Sequence, residues 1–192
     1  IRGDPMQEIE IEFKNMLIKS EYKQLLNHYF DVTKCHPIIQ INEYFDTYGN
    51  DLTTNKIALR IRTIDDNKEL TLKIPSTNQN QNIEINEMVQ FDTLTHFEQL
   101  NDMMKQHLKQ YEIEALSFSS LGKIKTTRYE KELDNELLVL DHTEFPNFED
   151  YELEFEVNHH DNGLKKFNAL LNQHHIPVRK ANPKIKRFMD HL

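Results

Sequence analysis

Glu8-Ile9-Glu10-Ile11-Glu12-Phe13-Lys14 alternates strictly between charged and apolar residues. In an extended chain successive side chains point to opposite faces, so Glu8, Glu10, Glu12 and Lys14 share one face and Ile9, Ile11 and Phe13 the other. Like charges two residues apart repel, so water, opposing bases or divalent cations must offset the cost of the three carboxylates. Mg²⁺ and Mn²⁺ prefer oxygen ligands, and an alternating carboxylate pair presents them at one point. A solvated edge strand satisfies the same pattern.

The alternation recurs along the chain. Ile57, Leu59 and Ile61 alternate with Ala58, Arg60 and Arg62, and Leu70, Leu72 and Ile74 alternate with Thr71 and Lys73. Asp65-Asp66-Asn67 between them suits a hairpin turn. Ile83 and Ile85 flank Glu84. A segment from about Lys123 to Lys131 joins one from Leu133 to Asp141 through Asp134-Asn135, and Tyr151, Leu153, Phe155 and Val157 alternate with Glu152, Glu154 and Glu156. With Ile38 to Phe45, about eight strands are expected. Helical spacing lies between them: Ile18, Tyr22, Leu25, Leu26 and Tyr29; Leu94, Phe97, Leu100, Met104, Leu108 and Tyr111; and Leu164, Phe167, Leu170 and Leu171. A short helix should follow Pro183. Ser76 to Asn82 reads as a mobile polar connection.

On each strand one face is apolar and the other charged. Helices can cover the apolar faces. The charged faces can meet solvent, or close into an eight-stranded antiparallel barrel with a charged interior. The acidic members of those faces are Glu10, Glu12, Glu84, Asp141, Glu152 and Glu154. The basic members are Lys14, Arg60, Arg62, Lys73 and Arg128, with Lys184 a further one. Arginine and lysine suit phosphate oxygens, and carboxylates suit the cations that bridge phosphates. A highly charged phosphate chain needs both. Cross-strand salt bridges on a solvated sheet are the alternative.

Composition narrows the choice. The 192 residues carry a net charge of −9, which disfavours nucleic acid as a partner. No apolar run approaches the roughly 18 residues of a membrane span. One cysteine, Cys35, cannot form an internal disulfide, which fits a reducing cytoplasm; it reads as a small buried residue rather than a nucleophile. Residues 1–5 read as a leading remnant ahead of Met6, and 6–192 as a single domain. The pairs His159-His160 and His174-His175 read as solvated surface residues without zinc-ligand spacing, and Arg179 and Lys180 as an exposed loop. Tyr44, Phe45 and Tyr151 read as packing residues. There is no P-loop.

Several motifs together carry a resemblance. Glu10-Ile11-Glu12-Phe13-Lys14 resembles the ExExK signature of the CYTH superfamily, the triphosphate tunnel metalloenzymes. Tyr44-Phe45-Asp46-Thr47, Leu59-Arg60-Ile61-Arg62, Leu70-Thr71-Leu72-Lys73, Gly122 to Arg128, Leu138-Val139-Leu140-Asp141 and Tyr151-Glu152-Leu153-Glu154 resemble its later motifs, in family order, and the likeness is to small bacterial YjbK-type members. The resemblance implies an α+β fold: an eight-stranded antiparallel β-barrel or tunnel with a hydrophilic interior and helices packed outside. It implies Mg²⁺ or Mn²⁺ and a small-molecule triphosphate substrate. Carried over, Glu10, Glu12, Asp141, Glu152 and Glu154 hold metal; Lys14, Arg60, Arg62, Lys73, Arg128 and Lys184 hold phosphates; and Glu10, Glu12 and Lys14 are catalytic. Glu8 and Glu156 extend the acidic strands and receive no role, and either Glu84 or Glu87 faces inward. The activity implied is metal-dependent triphosphate hydrolysis, with inorganic tripolyphosphate ahead of nucleoside or thiamine triphosphates. Adenylate cyclisation and non-catalytic polyphosphate or nucleotide binding are the alternatives, and no residues identify a base-recognition pocket.

Overall fold

The computed structural model describes residues 3–114 and 117–192. Its strands are β1 (Met6–Leu17), β2 (Ile38–Asp46), β3 (Ala58–Ile64), β4 (Asn67–Pro75), β5 (Gln81–Val89), β6 (Ser119–Leu133), β7 (Glu136–Glu144) and β8 (Glu149–Val157). Its helices are α1 (Lys19–Tyr29), α2 (Asp51–Thr54), α3 (Asp102–Gln110), α4 (His160–Gln173) and α5 (Lys184–Met189). The strands follow the cyclic order β1-β5-β4-β3-β2-β6-β7-β8, a closed barrel. This is the α+β architecture that the alternating pattern and the motifs led one to expect. Of the leading segment 1–5, residues 1 and 2 lie outside the described residues.

Two compact units divide the chain, one comprising Ile1–Ile9 and Ile41–Ile124, the other Glu10–Gln40 and Lys125–Leu192. In the first, β3, β4 and β5 form an antiparallel ladder with Leu59 opposite Leu72 and Leu72 opposite Ile85. The apolar face of this ladder buries Leu59, Ile61, Leu70, Leu72, Ile74, Ile85 and Val89 against Leu52 of α2 and Met104 and Leu108 of α3. In the second, β1 pairs with β8 and β8 with β7, and Phe13, Leu17, Leu138, Leu140, Leu153 and Phe155 pack against Tyr22 and Leu25 of α1 and Phe167, Leu170 and Leu171 of α4. Each such aliphatic or aromatic side chain contributes about 1.5–3 kcal/mol on burial. A slip of one residue would turn all of them to the charged face, so this burial fixes the register.

Local chemistry sets the connections. Asp65 and Asp134 take left-handed backbone (φ 52° and 47°) in the two-residue turns after Ile64 and Leu133, a conformation aspartate tolerates. Gly122 has φ 136°, which a side chain would strain. The Ser76–Asn82 stretch forms a hairpin turn closed by the Ser76 amide donating to the Gln81 carbonyl at 3.0 Å, so β5 already begins within it.

Two helical expectations shift, and one helix was not foreseen. The Leu94–Tyr111 stripe is broken at Asn101, whose side chain accepts the Met104 amide at 2.9 Å and caps α3 there. Leu94 and Leu100 are nonetheless buried. Ile18 stands exposed just ahead of α1, where its amide donates to Glu21 at 3.0 Å. The short α2 has no periodic signal; it is organised by the buried carboxylate of Asp46, which accepts the amides of Thr47, Leu52 and Thr53 and the Thr53 hydroxyl at 2.6–3.0 Å. Asp46 of the family-like Tyr44-Phe45-Asp46-Thr47 segment is therefore a structural cap.

Candidate functional site

In the second unit, strand register assembles the site. Arg128 on β6 lies opposite Asp141 on β7, Asp141 opposite Glu152 on β8, Lys14 on β1 opposite Glu154, and Glu12 opposite Glu156. Partners across a ladder share a face, so these side chains converge on the side away from α1 and α4. Asp141 and Glu152 are fully buried, and Glu12 and Glu154 nearly so. Burial of this kind demands compensation.

Much of it comes from bases. Arg128 donates to Asp141 through Nε (2.8 Å) and Nη2 (2.7 Å), and Nη2 also reaches Glu154 Oε2 at 2.9 Å. Lys184, at the start of α5, donates to Asp141 Oδ2 at 2.5 Å and Glu154 Oε1 at 3.1 Å. The Lys14 ammonium lies 3.2 Å from Glu12, 3.4 Å from Glu154 and 3.6 Å from Glu152. Burial opposes its charge, but Glu12, Glu154, Glu152 and Glu10 outweigh that and hold its pKa well above the ordinary lysine value. Arg128 is raised in the same way against its burial by Asp141 and Glu154. Burial pushes the Asp141 carboxyl up, and Arg128 and Lys184 more than reverse it, leaving it below the usual range.

The carboxylates fall into two groups whose ligand oxygens lie within 4.8 Å of one another: Glu10, Glu12 and Glu156, and Asp141, Glu152 and Glu154. The five residues expected to hold metal are all included, joined by Glu156. Burial, a hydrogen bond with Glu10, and the charges of Glu10, Glu12 and Glu154 push the Glu156 carboxyl up to about 8. Such a group stores a proton where a cation would relieve it. In the second group Glu152 Oε1 is buried and accepts no hydrogen bond from the protein. Six carboxylates (Glu10, Glu12, Asp141, Glu152, Glu154, Glu156) supply an all-oxygen donor set, which fits a hard divalent cation such as Mg²⁺ or Mn²⁺.

In the first unit the polar face carries the other expected phosphate ligands. Arg60 Nη2 lies 3.7 Å from Glu84 Oε1, and Lys73, paired with Glu84 across the ladder, lies 3.7 Å from its Oε2. Arg62 Nε donates to Asn42 Oδ1 at 3.0 Å. Glu84 thus shares the face of Arg60 and Lys73. Glu87 lies on the opposite, helix-bearing face, where it is buried and accepts the Asn101 amide group at 2.9 Å. Phe45 and Tyr151 are buried in the two hydrophobic cores, as expected of packing residues, whereas Tyr44, opposite Arg60, is buried on the charged face.

Sequence reasoning missed two residues of the carboxylate site. Glu156 continues the β8 alternation, a signal visible but set aside because it lay beyond the motif. Arg187 lies three residues after Lys184, one helical turn away on the same face of α5; it donates to Glu152 Oε2 at 2.6 Å and Asp150 Oδ2 at 2.7 Å. Other expectations are corrected. Cys35 is exposed, because the turn after Phe30 lies at the surface. His174 is buried against His28 and Tyr29, with Tyr29 Oη 3.1 Å from its Nε2. Arg179 is half-buried and makes a two-pronged contact with Glu21 at 2.6 and 3.0 Å. Among the described residues no helix is long and apolar enough to cross a membrane.

The family model of the CYTH domain matches residues 8–189. The chain is 37% identical over 190 residues to the Bacillus subtilis protein named "Putative triphosphatase YjbK", with 96% of each chain covered. It resembles the crystal structure of a Bacillus halodurans protein described as a putative adenylate cyclase, with a TM-score of 0.83 and 27% identity over 95% of this chain and 98% of that one. The Hippeastrum protein HpAC1, described as having a dominant triphosphatase activity, shares the fold with a TM-score of 0.72 and 21% identity over 97% and 96% of the two chains.

Proposed function

Since the chain belongs to the CYTH domain family, we propose that it is a divalent-metal-dependent hydrolase of a triphosphate, inorganic tripolyphosphate first. The observation that carries this reading is the pair of carboxylate groups built on β1, β7 and β8 and interleaved with Lys14, Arg128 and Lys184. The name of the B. subtilis relative supports the same class of reaction. A nucleoside or thiamine triphosphate is a second substrate choice, but the motifs supply phosphate and metal ligands and nothing for a base.

In this reading Glu10, Glu12, Asp141, Glu152 and Glu154, with Glu156 added, hold Mg²⁺ or Mn²⁺. The ion supplies neutralisation of phosphate charge and a lowered pKa for water. Lys14, Arg60, Arg62, Lys73, Arg128 and Lys184 hold phosphate oxygens, the arginines through their forks and the lysines as point charges. Lys14 also stays protonated, so a cation is present as negative charge builds on the leaving group. Water attacks phosphorus, the anhydride P–O bond breaks, and orthophosphate and pyrophosphate leave with release of a proton. Such chemistry needs positioning and charge stabilisation rather than a covalent nucleophile. A reducing cytoplasm suits the exposed Cys35.

Product analysis tests the reaction class. Incubation with Mn²⁺ and tripolyphosphate, and separately with ATP, should release orthophosphate. Pyrophosphate with cyclic AMP from ATP would favour cyclisation. Saturable binding of tripolyphosphate without turnover would make the protein a receptor instead.

A further inference from the structure

We propose that Arg187 is a positioning residue that fixes Glu152 so that Oε1 alone is presented to the cation; this rests on the metal-dependent reading above. Arg187 is buried on α5, and its guanidinium is engaged on every edge. Nη2 donates to Glu152 Oε2 at 2.6 Å, Nε to Asp150 Oδ2 at 2.7 Å, Nη2 also approaches Asp150 Oδ1 at 3.4 Å, and Nη1 donates to the Asn182 carbonyl. With acceptors on two strand residues and on the chain before α5, the fork has one orientation.

The consequence falls on Glu152. Its Oε2 is taken by Arg187, with Lys184 3.6 Å away, while Oε1 is buried without a hydrogen bond and faces the Lys14 ammonium at 3.6 Å. An unsatisfied buried carboxylate oxygen is costly, and carboxylates normally turn to share donors. Arg187 prevents that turn. In the same group, Asp141 and Glu154 have both oxygens engaged by Arg128 and Lys184 or Lys14. Glu152 is therefore the member whose orientation is set from behind and whose front oxygen is held ready. Groups that orient a metal ligand in this way characteristically change metal affinity 10- to 100-fold when altered.

A counter-charge and a positioning group predict opposite results. If Arg187 only balances charge, a neutral substitution removes a repelling cation and tightens metal binding, and lysine behaves as wild type. If it positions Glu152, both substitutions weaken binding, because lysine keeps the charge but cannot bridge Asp150 and Glu152 together. Mn²⁺ titration calorimetry on the full chain separates the two, using wild type, Arg187→Lys, Arg187→Gln, Asp150→Asn and Glu152→Gln, with circular dichroism to verify folding. Expected are a loss of affinity of at least about tenfold in both Arg187 variants, a similar loss in Glu152→Gln, and a smaller one in Asp150→Asn. If the Arg187 variants do not fold, Asp150→Asn carries the test, since it frees the guanidinium without touching Glu152. Wild-type affinity in Arg187→Lys or Asp150→Asn, tighter binding in Arg187→Gln, or full affinity in Glu152→Gln overturns the inference while the metal-dependent reading stands. No Mn²⁺ binding by wild type overturns that reading itself.

Discussion

Arg128 and Lys125 lie three residues apart on β6, and both pair with a carboxylate directly across on β7. Their energetic weight differs greatly. Lys125 and Glu144 meet at 2.9 Å with about half of each side chain exposed, so water and salt screen the pair. Arg128 is buried against Asp141 and Glu154, and its removal takes one base from two buried carboxylates, which keep Lys184 and Lys14. Urea denaturation should show Arg128→Ala losing about 3–5 kcal/mol and Lys125→Ala less than about 1 kcal/mol. Equal losses would mean that the buried carboxylates find other partners. The residues of this group were legible because strand alternation ties each to its face: Glu10, Glu12, Lys14, Asp141, Glu152 and Glu154 each follow from one motif. Arg187 was not, because a six-residue helix has too short a pattern to show which side it docks.

At the scale of elements, α4 approaches β8 closely at Gly163. A methyl group there would lie 2.5 Å from both Val157 methyl carbons. Alanine in place of a helical glycine gains about 1 kcal/mol of helix propensity, but a forced displacement in a packed core costs about 1–3 kcal/mol. The clash should win, and Gly163→Ala should lower the melting temperature; an increase would show that α4 shifts freely. The far end of α4 holds His174 against His28, Tyr29 and His175. Burial, then the neighbouring His28 and His175, lower its pKa below the ordinary 6.5. The unfolded chain therefore binds this proton more readily than the folded one, and the stability His174 contributes is full above pH 6.5 and lost as pH falls through the window beneath it. Denaturation midpoints should decline in that window for wild type and change less in His174→Gln; parallel declines would assign the effect to other groups. The sequence hid this because periodicity marks apolar residues, and a histidine at a helix end carries no such mark. It likewise hid the break at Asn101, where a side-chain cap overrides an apolar stripe that continues on both sides.

For the whole molecule, alternation on eight strands left an open sheet with a solvated charged face and a closed barrel both open, and it was the resemblance carried by the ordered motifs that implied the barrel, with helices on its apolar faces. Charge balance was less legible. The number of bases that meet each carboxylate depends on register and on α5, neither of which local spacing encodes. The net charge of −9 and the clustering of Glu10, Glu12 and Glu156 should make the fold itself sensitive to divalent cations. With Mn²⁺ at about a hundred times its dissociation constant, stability should rise by about 2.7 kcal/mol, or about 5–10 °C in melting temperature for a chain of this size. Chelation should reverse the shift, and an unchanged melting temperature would argue against a resident site. The most direct test of the central claim is phosphate release from tripolyphosphate with Mg²⁺ or Mn²⁺, comparing wild type with a folded Glu10→Gln/Glu12→Gln variant. Metal-dependent release that drops at least about a hundredfold in the variant is the expected result; release that persists in the variant, or none from wild type with either metal, would contradict it.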